Sequence, residues 1–435
     1  MQKLLLPLAL AALVIPFSYA QTPFSGAVTP GAASSQVVEP TGALTLATAL
    51  ELALRANPDI AVAAREVQAM EGVVRQAGVI RNPELAASVE DTRRETRTTT
   101  LQFNQPIELG GKRAARISAA ERGRDAAEIE LAGKQAEVRA AVVAAFYDVE
   151  TAQERVRLAQ ATVELAQRAT LIASKRVQAG KVSPVEETRA RVAESGVRVE
   201  LAQAVTELET ARRRLAATWG STTPRFDRAD DHIEALPRLP ALTELTQRLE
   251  RSPTMLRARM EVERRQALTQ VERSRRIPDL VVSFGAKRDE QLGRNQAIVG
   301  VSIPLPLFDR NQGNLLEALR RTEKARDELS ATEVGLHSEL AQAYGRLSAA
   351  RNEVTLLQNE VLPGAQSAYE ATTKGFELGK FSFLEVLDAQ RTFFQAKSQY
   401  LRALAETQRS TAEIDRIVGT PFLDTRTNSM QQEKQ

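Results

Sequence analysis

The chain has 435 residues, of which 43% are hydrophobic and only 4% aromatic, so compact aromatic-rich cores are not expected. It contains no cysteine, which excludes disulfide staples, thiolate metal sites, cysteine nucleophiles and a lipidated N-terminal cysteine. With 58 basic residues against 55 acidic ones, a formal charge of +3 and two histidines, the composition speaks against a zinc enzyme and against a nucleic-acid partner.

Lys3, the apolar run from Leu4 to Phe17 and the small-residue pattern Ser18-Tyr19-Ala20 read as a cleaved export signal over residues 1–20. The run is shorter than the roughly 18 apolar residues that a spanning helix needs. Residues 21–43 are rich in Pro, Gly, Ser and Thr and lack apolar periodicity, so they are expected to be extended or disordered. Every later apolar stretch is interrupted by charge before it reaches spanning length. Any membrane crossing must therefore use strands.

The chain is written twice. Asn57-Pro58 and Asn82-Pro83-Glu84-Leu85 recur as Ser252-Pro253 and Ile277-Pro278-Asp279-Leu280, displaced by 195 residues. Gln105-Pro106-Ile107-Glu108-Leu109 recurs as Ile303-Pro304-Leu305-Pro306-Leu307, displaced by 198, so three residues are inserted between these landmarks. Ala179-Gly180-Lys181-Val182-Ser183 matches Leu378-Gly379-Lys380-Phe381-Ser382, and each is followed 40 residues later by Gly220 or Gly419. The copies are expected at residues 44–220 and 240–419, joined by a linker over 221–239 and followed by a polar tail over 420–435.

Within each copy helix dominates. Pro58 and Pro253 suit a first helical turn, with Asn57 and Ser252 as N-caps, and each opens a helix of about 20 residues that ends near Pro83 or Pro278. The period then changes from 3.6 to 2. Leu85, Ala87 and Val89, then Leu101 and Phe103, alternate with polar or small residues and predict a hairpin over about 84–105. Leu280, Val282 and Phe284, then Val299, Val301 and Ile303, predict a second over about 279–303. Such alternation is what a transmembrane barrel strand requires, although a small soluble sheet gives the same pattern. Four strands cannot close a barrel and open edges are not tolerated in lipid, so a barrel has to be shared between chains.

Two rods follow the hairpins, from about Arg113 to Gln178 and from Gln312 to Glu377, the second interrupted only by Pro363. Sixty-odd helical residues span roughly 100 Å. Shorter partners from Pro184 and Phe383 return alongside them. Val138, Val142, Ala145, Val149 and Val156, with Leu340, Tyr344, Leu347, Val354 and Val361, mark narrow apolar stripes at coiled-coil spacing. At the turns, Gly180 and Gly379 suit the left-handed position after a helix, and Ser183 with Glu186 and Ser382 with Glu385 read as capping boxes.

This combination resembles the outer-membrane efflux proteins, the trimeric channel-tunnel family, over about Leu44 to Gly419. Ile303-Pro304-Leu305-Pro306-Leu307-Phe308-Asp309-Arg310-Asn311-Gln312-Gly313 resembles the segment of the cobalt-zinc-cadmium cation-efflux branch, and Phe383-Leu384-Glu385-Val386-Leu387-Asp388-Ala389-Gln390-Arg391 resembles the helix lining the periplasmic mouth. The resemblance implies a mainly α fold with a small β part: a homotrimer whose duplicated helical hairpins form an α-barrel tunnel under a shared 12-stranded transmembrane β-barrel. It implies an outer-membrane lipid setting, a periplasmic adaptor and a proton-driven inner-membrane pump of the resistance-nodulation-division class as partners, and neither a catalytic step nor a cofactor.

Glu385 and Asp388 lie three apart on one helical face, and three-fold symmetry would turn them into a ring that attracts cations. The resemblance makes Asp388, Glu385 and Phe376 the candidate gate. It makes the tips Gly180, Lys181, Ser183 and Gly379, Lys380, Ser382 the docking points for adaptor hairpins. A basic residue that locks some relatives shut falls at Phe381, so that lock is not expected. His232 and His337 have no partner ligand at i+3 or i+4, and Met255 and Met260 point apart on a helix, so no metal site is expected. Other readings are a channel for drugs or other small molecules, a periplasmic adaptor, which would carry one hairpin and β-rich domains, and a coiled-coil scaffold, which needs no alternating strands.

Overall fold

The computed structural model describes residues 39–230, 236, 239–378 and 380–419. The expected export signal, most of the segment after it, His232, Gly379 and the tail lie outside the described residues.

Each copy opens with a helix capped as its sequence dictates. A short helix α1 (Leu46–Ala56) leads into α2 (Pro58–Ala77), where the Asn57 side chain accepts from the backbone N–H groups of Asp59 and Ile60 at 2.8 and 3.1 Å. In the second copy a short helix α5 (Leu242–Leu249) leads into α6 (Pro253–Ser274), and Ser252 Oγ accepts from Met255 N at 3.2 Å. Proline at the first helical position costs nothing there, because its missing N–H would have had no partner.

The first hairpin is β2 (Glu84–Glu90) with β3 (Thr98–Ile107), the second β5 (Leu280–Asp289) with β6 (Arg294–Ser302). They form a single antiparallel sheet of order β2-β3-β5-β6, with Phe103 opposite both Leu85 and Phe284, and Phe284 opposite Val299. A two-residue parallel ladder between β1 (Ala43–Leu44) and β4 (Arg228–Ala229) ties the beginning of the first copy to the linker, where Gln153 exchanges hydrogen bonds with both backbone groups of Ala229.

The rods run from the sheet. The first, α3 (Lys112–Gln178, 67 residues), spans about 100 Å and returns as α4 (Pro184–Ala217). The second is α7 (Gln312–Leu356), one π turn (Leu357–Val361) and α8 (Leu362–Glu377), returning as α9 (Phe383–Val418). Leu340, Leu347 and Val354 are buried as the stripe predicts, but Val361 is exposed and Leu357 takes the buried place. The π turn, which holds one residue more than an α turn, shifts the buried stripe by one residue number just ahead of Pro363. Among the described residues no helix is long and apolar enough to cross a membrane.

Where each copy ends, it packs on its own beginning. Gly220 (φ +78°) sits against the Pro58 ring and Gly419 (φ +76°) against the Pro253 ring, and Asn57 Nδ2 donates to Thr218 O at 2.8 Å. Around the second junction lies an aliphatic core of Leu245, Leu249, Met255, Leu340, Leu347, Ile414 and Ile417, contributed by α5, α6, α7 and α9. Trp219 is buried edge-on against Phe226.

Candidate membrane face and tunnel mouth

The sheet has two chemically distinct faces because side chains alternate with period 2. One cross-strand row is Leu85, Phe103, Phe284 and Val299, exposed by 67, 43, 53 and 76%. The next row on that face is Ala87, Leu101, Ala286 and Ala297. The opposite face carries Ser88, Thr100, Lys287 and Gln296 in one row and Glu84, Asn104, Ser283 and Gly300 in another. Apolar side chains left exposed in ordered rows, on a sheet whose other face is polar, fit lipid outside and water inside.

Where strands become rods, a network of charges joins the two copies. Arg81 reaches Glu108 at 3.3 Å and Asp279 at 3.2 Å, Lys112 pairs with Asp279, and Arg116 holds Glu108 with two hydrogen bonds, one of 3.0 Å. The Arg116 guanidinium holds the Glu108 carboxyl below the usual carboxylate range. No motif announces this network in the sequence, although Glu108 and Asp279 lie within the repeat landmarks and Arg81 just precedes one.

The far ends of the rods carry the turn chemistry. After α3, Gly180 adopts φ +68° while Lys181 N donates to Arg176 O and Gly180 N to Val177 O, both at 2.9 Å. This is a Schellman termination. After α8, Lys380 N likewise donates to Gly375 O at 2.7 Å. Lys181, Ser183, Lys380 and Ser382 are all exposed.

The two expected capping boxes differ. Ser382 and Glu385 form one: Glu385 Oε2 accepts from Ser382 N at 2.6 Å, and Ser382 Oγ accepts from Glu385 N. That bonding lowers the Glu385 pKa from its ordinary value. Ser183 caps through Val185 N at 3.3 Å instead, and Glu186 turns to Arg189 at 3.5 Å. The expected box at Ser183 is therefore absent, because a basic residue three positions on competes for Glu186. In the second copy that position is Asp388, which offers Glu385 no cation to draw it from the cap.

Asp388 is exposed and lines a groove of about 620 Å³ with Arg391 and Phe394 of α9, Leu158 and Thr162 of α3 and Gly196 of α4. Glu385 is exposed but engaged. Phe376 is buried, with the Arg176 guanidinium 4.8 Å from its ring centroid, a contact joining the two hairpins that the sequence did not reveal. Phe381 packs on Gly375, where a Cβ would overlap its ring. Among the described residues no cluster of three or more potential metal ligands occurs, and His337 is exposed.

A small sheet with an apolar outer face, set on two helical hairpins about 100 Å long, defines an outer-membrane channel of the tunnel type. The duplicated architecture carries a family signature in both halves. The chain belongs to the outer membrane efflux protein family, whose model matches residues 49–221 and again 245–420. It is 49% identical over 421 residues to the cobalt-zinc-cadmium resistance protein CzcC of Cupriavidus metallidurans, covering 96% of this chain and all of that one. It is 27% identical to the nickel-cobalt-cadmium resistance protein NccC of Alcaligenes xylosoxydans xylosoxydans over 69% of each chain. A crystal structure of CusC superposes with a TM-score of 0.73 at 20% identity, covering 86% of this chain and 92% of that one.

Proposed function

We propose that the chain is the passive exit duct for divalent heavy-metal cations, of cobalt, zinc and cadmium type, in a proton-driven efflux assembly. Three copies pool their sheets into one 12-stranded barrel in outer-membrane lipid, and their helical hairpins close the tunnel beneath it in the periplasm. The observation that carries the duct is the sheet itself: four strands, an apolar outer face, a polar inner face and two edges without a partner among the described residues. The cargo reading rests on the near-full-length similarity to CzcC.

The chain performs no reaction; the work belongs to an inner-membrane pump of the resistance-nodulation-division class, reached through a periplasmic adaptor. The turns at Gly180, Lys181 and Ser183, and at Gly379, Lys380 and Ser382, are where adaptor hairpins dock; Lys181, Ser183, Lys380 and Ser382 are exposed there. Asp388 supplies the carboxylate ring at the mouth, since the Glu385 carboxylate is held by its own helix N-terminus. Phe376 acts from behind the wall, through its contact with Arg176. A strain lacking this chain tests the cargo. Loss of tolerance to zinc, cobalt and cadmium is expected, and loss of tolerance to organic toxicants alone would overturn the metal assignment.

A further inference from the structure

The face of α9 that carries Asp388 repeats every seven residues, through Gln395 and Arg402 to Arg409. Arg402 and Arg409 therefore stand about 21 and 32 Å from Asp388 along the helix, on the side towards the sheet. The groove that Asp388 lines continues in that direction into a second one of about 830 Å³, and Arg155, Gln203 and Arg402 line both. This upper groove runs over α3, with α4 on one side and α9 on the other.

Its charges fall into two layers. Arg155 of α3 pairs with Glu207 of the antiparallel α4. One heptad nearer the sheet on both helices, Asp148 stands level with Arg214, and Asp148 pairs with Arg409 of α9. One layer is thus Asp148, Arg214 and Arg409, and the other is Arg155, Glu207 and Arg402, one heptad below. Each holds two guanidiniums and one carboxylate. In each layer the carboxylate engages one arginine, and the other is left over. Arg402 donates to Ser398 O of its own helix at 3.3 Å and has no ion pair, and Arg214 has neither hydrogen bond nor ion pair among the described residues. Glu406, 3.6 Å from Arg409, does not line this groove. The end towards the tip has the opposite sign, with Glu200 and Asp388 against Arg391.

We propose that the upper groove is a binding site for a multivalent oxyanion, a polycarboxylate or an inorganic ion of the sulfate and phosphate kind, held by the two unpaired guanidiniums of Arg402 and Arg214. Their layers are roughly 10 Å apart along the groove, a separation that two long side chains can close around one ligand. A guanidinium presents a planar fork that matches oxyanion geometry, and bonds to an ionised acceptor are the strong ones. Burial also pushes the Arg409 guanidinium below its ordinary pKa even beside Asp148, so its layer gains from a further negative charge. The proposal rests on the reading of the Asp388 face as the wall of the duct and deepens it. A cation drawn in past Asp388 next meets a band of opposite sign, and an anion held there lets it pass.

Sulfate is the probe, added to full-length channels in planar bilayers bathed in dilute potassium chloride, where screening is weak. Sulfate is expected to reduce the current of the parent. Arg214→Gln with Arg402→Gln should raise the half-blocking sulfate concentration about tenfold, the equivalent of one charge-assisted hydrogen bond, and Arg214→Lys with Arg402→Lys should recover most of the block. Asp148→Asn should move it the other way, to lower sulfate, because it frees a third guanidinium; a mere loss of folding does not strengthen a block, so this variant and the single glutamine variants decide the matter where the double variant fails to assemble. Block that is equal in the parent and the glutamine variants overturns the site. If sulfate leaves the parent current unchanged while Asp388→Ala still alters cation preference, the anion site falls and the duct stands. A parent that conducts no ions sinks the reading beneath both.

Discussion

At the scale of single residues, the chain places glycine where the backbone cannot accept anything else. Gly419 has φ +76° and a Cβ there would run into the Pro253 ring. Gly419→Ala therefore combines left-handed strain with overpacking and should destabilise the junction by about 2 kcal/mol or more, read as a lower urea midpoint of the solubilised oligomer. At the mouth, two carboxylates three residues apart have different work. Asp388→Ala should weaken cation preference in conductance through reconstituted channels, whereas Glu385→Ala should leave preference unchanged and loosen the tip; the reverse pattern would reassign the ring. The Glu385 pKa lies below its ordinary value because the Ser382 backbone and hydroxyl groups bond to it. A depressed carboxylate pKa stabilises the fold above the unfolded pKa and loses that contribution as pH falls through the folded one. Amide exchange at Ser382, corrected for intrinsic rates, should stay constant as the pH falls from neutral and rise only once the pH has passed below the ordinary glutamate range.

At the scale of elements, helix ends were legible and helix interiors were not. Caps, prolines and glycines announce their positions locally, so the starts at Pro58, Pro184 and Pro253 and the left-handed turn at Gly180 could be read from spacing alone. The π turn could not, since nothing within Leu357 to Val361 marks it. Its origin is nonetheless written in the duplication. The landmark displacement grows from 198 at Pro304 to 199 at Lys380, so the second rod holds one residue more than the first between matching points. A π turn absorbs one extra residue without turning the rest of the helix off its face, and its position relieves Pro363, which has no N–H to give to the preceding turn. Deleting exposed Gln358 together with Pro363→Ala should thus yield a continuous α-helix and an intact oligomer. Deleting exposed Gln167 from α3 should abolish assembly, because every buried residue from Ala169 to Ala173 then rotates by about 100° away from its neighbours. Size-exclusion profiles of the two deletions decide the point. The capping box at Ser183 failed for a comparable reason: a motif of four residues omits the fifth participant, Arg189, that draws Glu186 aside.

At the scale of the molecule, periodicity showed that strands exist and which face of each is apolar, yet it was silent on which strand lies beside which. That β3 pairs with β5 follows from packing the two copies side by side, and it brings Leu85, Phe103, Phe284 and Val299 into one row across residues more than two hundred positions apart. The contact of Arg176 with Phe376 was hidden likewise, being a meeting of two hairpins rather than a motif in either. The row also gives the sharpest test of what surrounds the sheet. If lipid covers the outer face, a charge in that row is costly: Val299→Arg should lose about 2–4 kcal/mol of stability in bilayers, whereas Thr100→Arg, on the opposite face, should fold and assemble almost as well as the parent. A soluble sheet packed on protein or facing water gives no such contrast. Folding each variant into vesicles from urea and scoring the fraction that migrates as a heat-modifiable oligomer separates the cases, and equal yields for the two arginines would remove the membrane from the outer face.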